Sequence, residues 1–462
     1  MANFSSCSSG LSGTGLFKIP GGGLSMADLR AILFVFGRAV SVCWRPVYPA
    51  MQPDHQSLWR LLIAQTQVVF NDNASKLALI SLAPLVLSAA AADWVTDLLA
   101  ALLVLPFVIF SPLCGWLADR YPKQAVLKYA LWLQAALMFL MMLALWRHSL
   151  PGAVAVFFLL ALQACVFSPA KQGALKEMVG SAHLTHAVGW MESLTIFGIL
   201  LGGLAGAGLF AWLDGAFNNP WHGAAGCFIA LTLGCVLSVL VFGNAKTAGA
   251  QSRDPFVWSL FWNHFRDIAY LWRVRRLFWP ALGIAWFYSL GGLLYLIMVS
   301  VGRFLHPDSS RAGFVSGAYL AVMGGGIIIG ALLVIRLAKH RPVMGLVPIG
   351  SLGMTGALLA LTLLYPAGWP YVASLLLLGI FSSLFIVPLN TYLQDHAAED
   401  RRSRVIAATN LLLNLGGVAA VAVHALLENV LRLRLPAQCL IVFAAMLIIS
   451  GTVFTRRREI GC

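Results

Sequence analysis

A few charged and amide side chains interrupt otherwise apolar stretches of the chain, and these residues could do chemistry. Lys171 lies in the segment Phe167–Gly173, near the end of an apolar run. Asp72 stands next to Asn73 in an earlier run, and Glu192 lies about two turns into a later one. A charge at the centre of a bilayer costs about 3 kcal/mol on insertion scales, so such residues usually face a cavity, a partner or a ligand. Together they could bind a charged molecule or carry protons.

Structural roles for the same polar residues remain open. Lys76 follows Asp72 by four residues, so the two side chains share one helical face and could neutralise each other. Glu192 could likewise form a structural ion pair with Lys171. Later in the chain, four amides take the place of charges: Asn390, Gln394, Asn410 and Asn414. Asn410 and Asn414 share one face of span 11 and could either line the cavity or join helices by hydrogen bonds.

The composition places these residues in a membrane protein. Of the 462 residues, 60% are hydrophobic and only 10% are charged, whereas an ordinary soluble domain is about 25% charged. Apolar stretches of about 20 residues recur along the chain, and each is long enough to cross a bilayer as a helix. Because these stretches are continuous rather than short and alternating, the sequence predicts an all-α membrane protein and not a barrel of strands.

The basic residues and the cysteines argue against nucleic-acid binding and metal chemistry. The net charge is +14, but Lys and Arg cluster between the apolar runs on alternate sides, as the positive-inside rule expects. The 8 cysteines contain no CxxC pair, and no Cys/His group has the spacing of metal ligands. Nor does any nucleophile–base constellation suggest catalysis. We therefore expect no nucleic-acid partner, no metal or cofactor, and no enzymatic activity.

Twelve spans account for the apolar runs, which are residues 57–83, 95–118, 124–147, 152–175, 185–213, 223–243, 278–302, 312–337, 343–365, 370–394, 403–427 and 436–455. A basic, aromatic cytoplasmic linker at 244–277 separates two six-helix halves, residues 51–243 and 278–455. The linker is either an amphipathic helix on the membrane surface or a simple tether. Span 5 is rich in glycine between Gly198 and Gly208, which favours close helix packing over a coupling role.

The distribution of charge also predicts the topology of the ends. About twenty Lys and Arg residues follow even-numbered spans and about five follow odd-numbered ones, so both termini should be cytoplasmic. Residues 456–462 form a basic cytoplasmic tail. The apolar stretch 32–44 contains Arg38 and is too short to span. Because Met51 begins a sequence that looks like a natural start, residues 1–50 are expected to be an atypical extension or the product of a misplaced start codon.

The two halves resemble each other at an offset of 219 residues. Val166–Pro169 in span 4 falls on Phe385–Pro388 in span 10, so proline falls on proline. At the same offset Lys171 falls on Asn390. Repeated six-helix halves are typical of transporters, in which the substrate path lies between the halves near the midplane.

The loop after span 2 carries a motif, Gly115-Trp-Leu-Ala-Asp119-Arg120-Tyr-Pro-Lys123. It resembles the loop motif of the major facilitator superfamily, which implies the twelve-helix fold of that family. Gly115 would allow close helix packing, and Asp119, with Arg120 and Lys123, would form a conformational latch. The counterpart after span 8 keeps Gly330 but lacks the aspartate, so the latch should be asymmetric.

Over about 55–455 the chain more closely resembles the bacterial lysophospholipid transporters. The matching segments are Gln65…Phe70-x-Asp72-Asn73-Ala74, Gly115…Asp119, Phe167-Ser-Pro-Ala-Lys171-x-Gly173, Leu184…Ala187-x-Gly189-x-Met191-Glu192 and Val387-Pro-Leu-Asn390. The resemblance implies a multi-pass protein of the bacterial inner membrane that moves lysophospholipids, chiefly lysophosphatidylethanolamine, across this membrane. It implies membrane lipids as surroundings and a cytoplasmic acyltransferase, which then reacylates the lysophospholipids inside, as a possible partner.

The resemblance also implies roles for the polar residues. Asp72, Asn73 and Lys171 match positions of the family's polar cavity, in which Lys171 would hold the phosphate as a point charge. Asp72 or Glu192 would hold the ammonium of the head group. The family carries a basic residue in span 7, whereas Phe287–Ile297 carries none here. If a second cation is needed, either Lys76 supplies it from the other side or the substrate differs.

Two other functions compete with lysophospholipid transport. A proton-coupled exporter of amphipathic small molecules would use Glu192 or Asp72 as its proton carrier. A membrane-embedded enzyme, or a scaffold that assists an acyltransferase, is disfavoured because the loops are too short to hold a separate domain.

Overall fold

The computed structural model of the chain describes residues 54–243, 245, 247, 255, 257–262, 264–305, 309–338, 343–366 and 368–456. The expected extension at 1–50 and all but the first residue of the basic tail lie outside this part of the chain. Within these ranges the regular structure is entirely helical. The predicted all-α class is therefore confirmed.

Twelve α-helical segments follow one another along the described residues. They are α1 His55–Val86, α2 Ala89–Arg120, α3 Lys123–Trp146, α4 Leu150–Phe217, α5 Pro220–Phe242, α6 His264–Arg273, α7 Arg275–Leu305, α8 Ser309–Leu337, α9 Leu346–Leu363, α10 Trp369–His396, α11 Arg402–Ala425 and α12 Leu435–Thr455. A 3-10 turn at Trp258–Trp262 precedes α6, and a π-helical turn at Leu426–Val430 extends α11. Spans 1–3 correspond to α1–α3, span 6 to α5, and spans 7–12 to α7–α12.

Spans 4 and 5 both lie in α4, which runs for 68 residues and bends at Gly180. Gly180 has φ 66° and ψ 175°, a backbone conformation that glycine adopts at little steric cost. The first limb of α4 is residues 150–179 and the second limb is residues 181–217. Both limbs extend beyond the predicted ends of spans 4 and 5, because polar residues between the two spans form contacts with neighbouring helices. Glu177, for example, lies 2.5 Å from the Lys123 ammonium.

The number of long helices agrees with the twelve predicted spans. Over the described residues, ten helices are long and apolar enough to cross a membrane. Dividing α4 at Gly180 adds one, and α1 adds another. α1 is not among these ten helices because its polar stretch Asn71–Lys76 lowers the mean hydropathy of an otherwise apolar helix.

Several helices begin at side chains that satisfy the free N–H groups of a first turn. Asp54 accepts a hydrogen bond from the backbone N–H of Ser57 at 3.0 Å, before α1. Ser149 accepts one from Gly152 at 3.2 Å, before α4. Short polar residues therefore fix where these apolar segments start.

Glycines of the second limb of α4 allow α1 to approach closely, as the packing prediction for span 5 requires. A Cβ atom on Gly206 would lie 2.6 Å from the Cα atom of Ala74, and one on Gly202 would lie 2.8 Å from that of Phe70. Gly203, by contrast, has no atom within 4 Å of its Cβ position. Small residues let transmembrane helices gain van der Waals contact between backbones, so Gly202 and Gly206 hold α1 against α4.

The N-half, α1–α5, contacts the C-half, α7–α12, chiefly through α2 with α11 and α4 with α8. Hydrogen bonds between the halves concentrate at one end of the bundle, which we call the Asp119 end and which contains Asp119, Asp395 and Ser403. The linker helix α6 packs against α7 and α11, and its Leu271 is fully buried. This part of the linker is therefore a packed helix rather than a free tether.

Candidate functional site

Lys171 is held by an amide from the neighbouring helix α1. Its Nζ donates to Gln65 Oε1 at 2.8 Å and lies 5.9 Å from the centre of the Phe167 ring. Gln65 is fully buried and donates in turn to Thr195 Oγ1 at 3.1 Å. A neutral amide orients the ammonium without neutralising it, so the charge of Lys171 remains available to an anion.

Two carboxylates flank this cation. Asp72 of α1 and Glu192 in the second limb of α4 both interact electrostatically with Lys171. Each forms its hydrogen bond with an amide: Gln134 Nε2 lies 3.3 Å from Asp72 Oδ1, and Asn390 Nδ2 lies 3.0 Å from Glu192 Oε1. Buried charges are tolerated when hydrogen bonds satisfy them. The structure thus brings one cation and two anions together and binds each to an amide.

Two amides of the C-half form hydrogen bonds with residues of α4 at this site. Asn390 of α10 reaches Glu192 across the interface between the halves, and Asn410 of α11 donates to Ser168 Oγ at 3.0 Å. Asn410, which could either line a cavity or join helices, forms a hydrogen bond between helices in this conformation, and Asn390 does the same.

Three other candidate residues, Asn73, Asn414 and Lys76, interact with groups other than Lys171. The Asn73 amide donates to the carbonyl of Val69 at 2.9 Å, and the Asn414 amide to that of Asn410 at 2.7 Å. Both side-chain amides are therefore directed to the backbone of their own helices. Lys76 interacts electrostatically with Asp72, one helical turn away.

Several polar contacts of the site were not predicted, although the sequence held a signal for some of them. Gln134 is an amide in an apolar span, the same signal that singled out Asn410. Lys176 forms an ion pair with Asp395 at 2.8 Å, and Ser181 donates to the same carboxylate at 2.5 Å. Lys176 and Asp395 are 219 residues apart, which is the repeat offset, so equivalent positions of the two halves meet at the interface.

Asp119 binds the beginning of α11 from the other half of the molecule. Its carboxylate is fully buried and accepts from the backbone N–H groups of Ser403 at 2.9 Å and Arg404 at 3.1 Å. The first N–H groups of a helix lack partners within the helix and carry its positive dipole end. Gly115, one turn earlier, permits this approach, because a Cβ atom there would lie 2.9 Å from Arg404 Cα.

The motif also contains Arg120 and Lys123, at the junction of α2 and α3. Lys123 is almost fully buried and pairs with Glu177, so it neutralises a carboxylate of α4 beside Asp119. Arg120 is half-buried at the last residue of α2. Between the halves, His186 Nε2 lies 2.6 Å from the carbonyl oxygen of Ala338 in the C-half.

The described residues contain no group of three or more His, Cys, Asp or Glu side chains that could hold a metal ion.

Sequence comparison relates the chain to a transporter family over most of its length. The model of the Major Facilitator Superfamily matches residues 31–421. The Lysophospholipid transporter LplT of Enterobacter sp. (strain 638) is 30% identical over 369 residues, which cover 76% of this chain and 83% of that protein. The Lysophospholipid transporter LplT of Salmonella arizonae is 29% identical over 364 residues, with the same coverage of 76% and 83%.

Solved structures give the same fold at lower identity. The transporter FucP in the outward conformation matches with a TM-score of 0.67 at 14% identity, over 86% of this chain and 98% of that one. A bacterial homologue of the iron transporter ferroportin in the outward-facing state matches with a TM-score of 0.65 at 16% identity, over 88% and 99%.

Proposed function

Because the chain belongs to the major facilitator superfamily, and within it to the family of the lysophospholipid transporters, we propose that it moves lysophospholipids across the bacterial inner membrane by alternating access. The transported molecule is not chemically altered. The substrate crosses between the N-half and the C-half, and both termini lie in the cytoplasm, where a separate acyltransferase reacylates the product. The excess of basic residues after even-numbered spans supports this orientation.

The observation that carries the proposal is the pairing of Lys171 with neutral Gln65 between two carboxylates. A lysophospholipid head group has a phosphate and, in the ethanolamine lipid, an ammonium. The Lys171 ammonium binds the phosphate as a point charge, and Glu192 or Asp72 binds the ammonium. Such a dipolar head group matches the alternation of charges in the site. The single acyl chain stays in or beside the lipid while the head group crosses.

Uptake of labelled lysophosphatidylethanolamine into spheroplasts tests this function. We expect Lys171→Ala and Asp72→Ala each to reduce uptake at least tenfold, because a hydrogen bond to a charged group contributes about 1.5–3 kcal/mol. Lys128→Ala is the matched control, since Lys128 is an exposed lysine on α3, and it should transport normally. Membrane levels and gel-filtration profiles must be equal. Normal uptake by both site variants would overturn the proposal.

The competing function is proton-driven export of amphipathic molecules. The observation that favours it is the hydrogen bond between Glu192 and Asn390 at the interface of the halves. A carboxylate at the interface of the halves could couple protonation to opening. We expect lysophospholipid uptake to persist when a proton uncoupler collapses the gradient. Export of amphipathic dyes that the uncoupler abolishes, without any uptake of lysophospholipid, would support the exporter instead.

A further inference from the structure

A second basic site lies at the Asp119 end, away from Lys171. A cavity of about 340 Å³ opens between the linker helix α6 and the first turn of α11. Its polar lining comes from Arg266, Asp267, Tyr270 and Arg273 of α6 together with Arg401 and Arg404. Neither helix forms the cavity alone, so its shape depends on the packing of the linker against the C-half.

The lining carries four arginines and one aspartate. Arg401 lies 3.5 Å from the exposed carboxylate of Asp400 and also stacks over the Tyr270 ring at 5.5 Å. This stacking fixes one guanidinium at the wall of the cavity. The lining therefore has an excess of positive over negative side chains, which attracts an anion, and arginine presents a fork of donors that suits phosphate oxygens.

We propose that this cavity binds a phosphate-bearing anion, supplied by the head group of an anionic phospholipid. An exposed tryptophan beside Arg273 on α6 favours a lipid source, since Trp272 is 67% exposed. Tryptophan is enriched where proteins meet the head-group layer, and basic pockets beside transmembrane helices on the cytoplasmic side bind anionic head groups. The cavity thus lies where a lipid phosphate can reach it.

A ligand in this cavity also acts on the contact between the halves. The backbone N–H of Arg404 binds Asp119, while the Arg404 side chain lines the cavity. An anion that joins α6 to α11 holds the first turn of α11 in the position that Asp119 recognises. A ligand that binds one conformation better than another shifts the population toward it, so the anion favours the conformation closed at the Asp119 end.

Native mass spectrometry of the purified full-length protein tests the site. Protein titrated with dioleoylphosphatidylglycerol should retain one molecule more tightly than it retains dioleoylphosphatidylcholine. Arg266→Ala combined with Arg273→Ala should weaken this retention about 25-fold, because each basic residue near an anionic head group contributes on the order of fivefold. A parallel titration with inorganic phosphate distinguishes the sources. Protection from thermal unfolding by phosphate alone, equal to that given by the lipid, would assign the site to a soluble anion.

The matched control removes two other arginines of the same region. Arg275 and Arg276 are exposed on the first turn of α7 and do not line the cavity. Arg275→Ala combined with Arg276→Ala should retain the lipid like the parent protein. Retention should also persist in Lys171→Ala, which separates this site from the transport site. Equal losses in both double variants, or no preference for the anionic lipid in the parent protein, would overturn the proposal.

Discussion

Lys171 shows how a single residue can keep its charge available inside a helical bundle. Its direct partner, Gln65, is neutral, and the nearby carboxylates are bound by amides from other helices. Removing an amide would leave a buried charge without its hydrogen bond, which is costly. Lys171 also lies near the end of its span rather than at the centre, where a charge is most expensive. The site therefore keeps separated charges at moderate cost, which is what the proposed binding of a dipolar head group requires.

The charge of Glu192 should decide which head groups are transported. Glu192→Gln keeps an oxygen that can accept from Asn390 but cannot attract an ammonium. We expect uptake of lysophosphatidylethanolamine to fall about tenfold or more, while uptake of lysophosphatidylglycerol, which has no ammonium, changes by less than about twofold. Competition assays with the two labelled lipids measure this selectivity. If Asp72→Asn produces the selective loss and Glu192→Gln does not, Asp72 is the ammonium ligand.

At the scale of the elements, α4 links the polar site to the closed end of the bundle. Its first limb carries Lys171 and its second limb carries Glu192, and Gly180 provides the bend between them. Because both limbs are helical up to this residue, Lys171 and Glu192 are positioned by helices rather than by a loop. The same helix contacts α1 through its glycines, so the packing of α1 on α4 sets the relative positions of Gln65 and Lys171.

Stability should depend on which glycine of the second limb is replaced. Gly206→Ala places a methyl group 2.6 Å from Ala74 Cα, and such overpacking costs about 1–3 kcal/mol. Gly203→Ala is the matched control, because no atom lies within 4 Å of that Cβ position and alanine is the better helix former. Thermal unfolding in detergent should therefore occur at a lower temperature for Gly206→Ala only. Equal melting temperatures would contradict the packing role.

At the scale of the whole molecule, contacts at the Asp119 end hold the two halves in one arrangement. Asp119 caps α11 from across the interface, and Lys176 pairs with Asp395 at positions related by the repeat. All of these groups must separate if the end is to open. The contacts are polar and directional, so they can form and break as a unit without exposing a large apolar surface.

Loss of the Asp119 cap should favour opening of this end. Removal of a helix N-cap costs about 1 kcal/mol, so Asp119→Ala should lower the ratio of closed to open molecules about fivefold. Pulsed electron paramagnetic resonance can report this, with spin labels on the exposed positions Lys128 and Leu337 in a background without native cysteines. The fraction of molecules with a longer distance between the two spin labels should increase. Asp400→Ala, which removes an exposed carboxylate at the same end, should leave the distribution unchanged. Identical distributions in both variants would exclude the latch role.

Much of the fold followed from local properties of the sequence. Continuous apolar runs determine membrane helices because the bilayer leaves no other way to satisfy the backbone. The Gly115–Lys123 motif and the offset of 219 residues then indicated the family and the paired halves. Charges within apolar runs likewise singled out Asp72, Lys171 and Glu192 as candidate site residues. Placing a charge within a membrane span costs free energy, and the sequence position alone shows that these charges lie in such spans.

Only the tertiary structure decided the partners of these residues. The sequence allowed Asp72 to pair with Lys76 and Glu192 to pair with Lys171, whereas both carboxylates receive hydrogen bonds from amides of distant segments. Asp119 could have been a solvated turn residue, yet it caps a helix 284 residues away. A sequence fixes the type and spacing of side chains along one helix. Which donor comes within 3 Å depends on how several helices pack together, and that geometry is a property of the whole bundle.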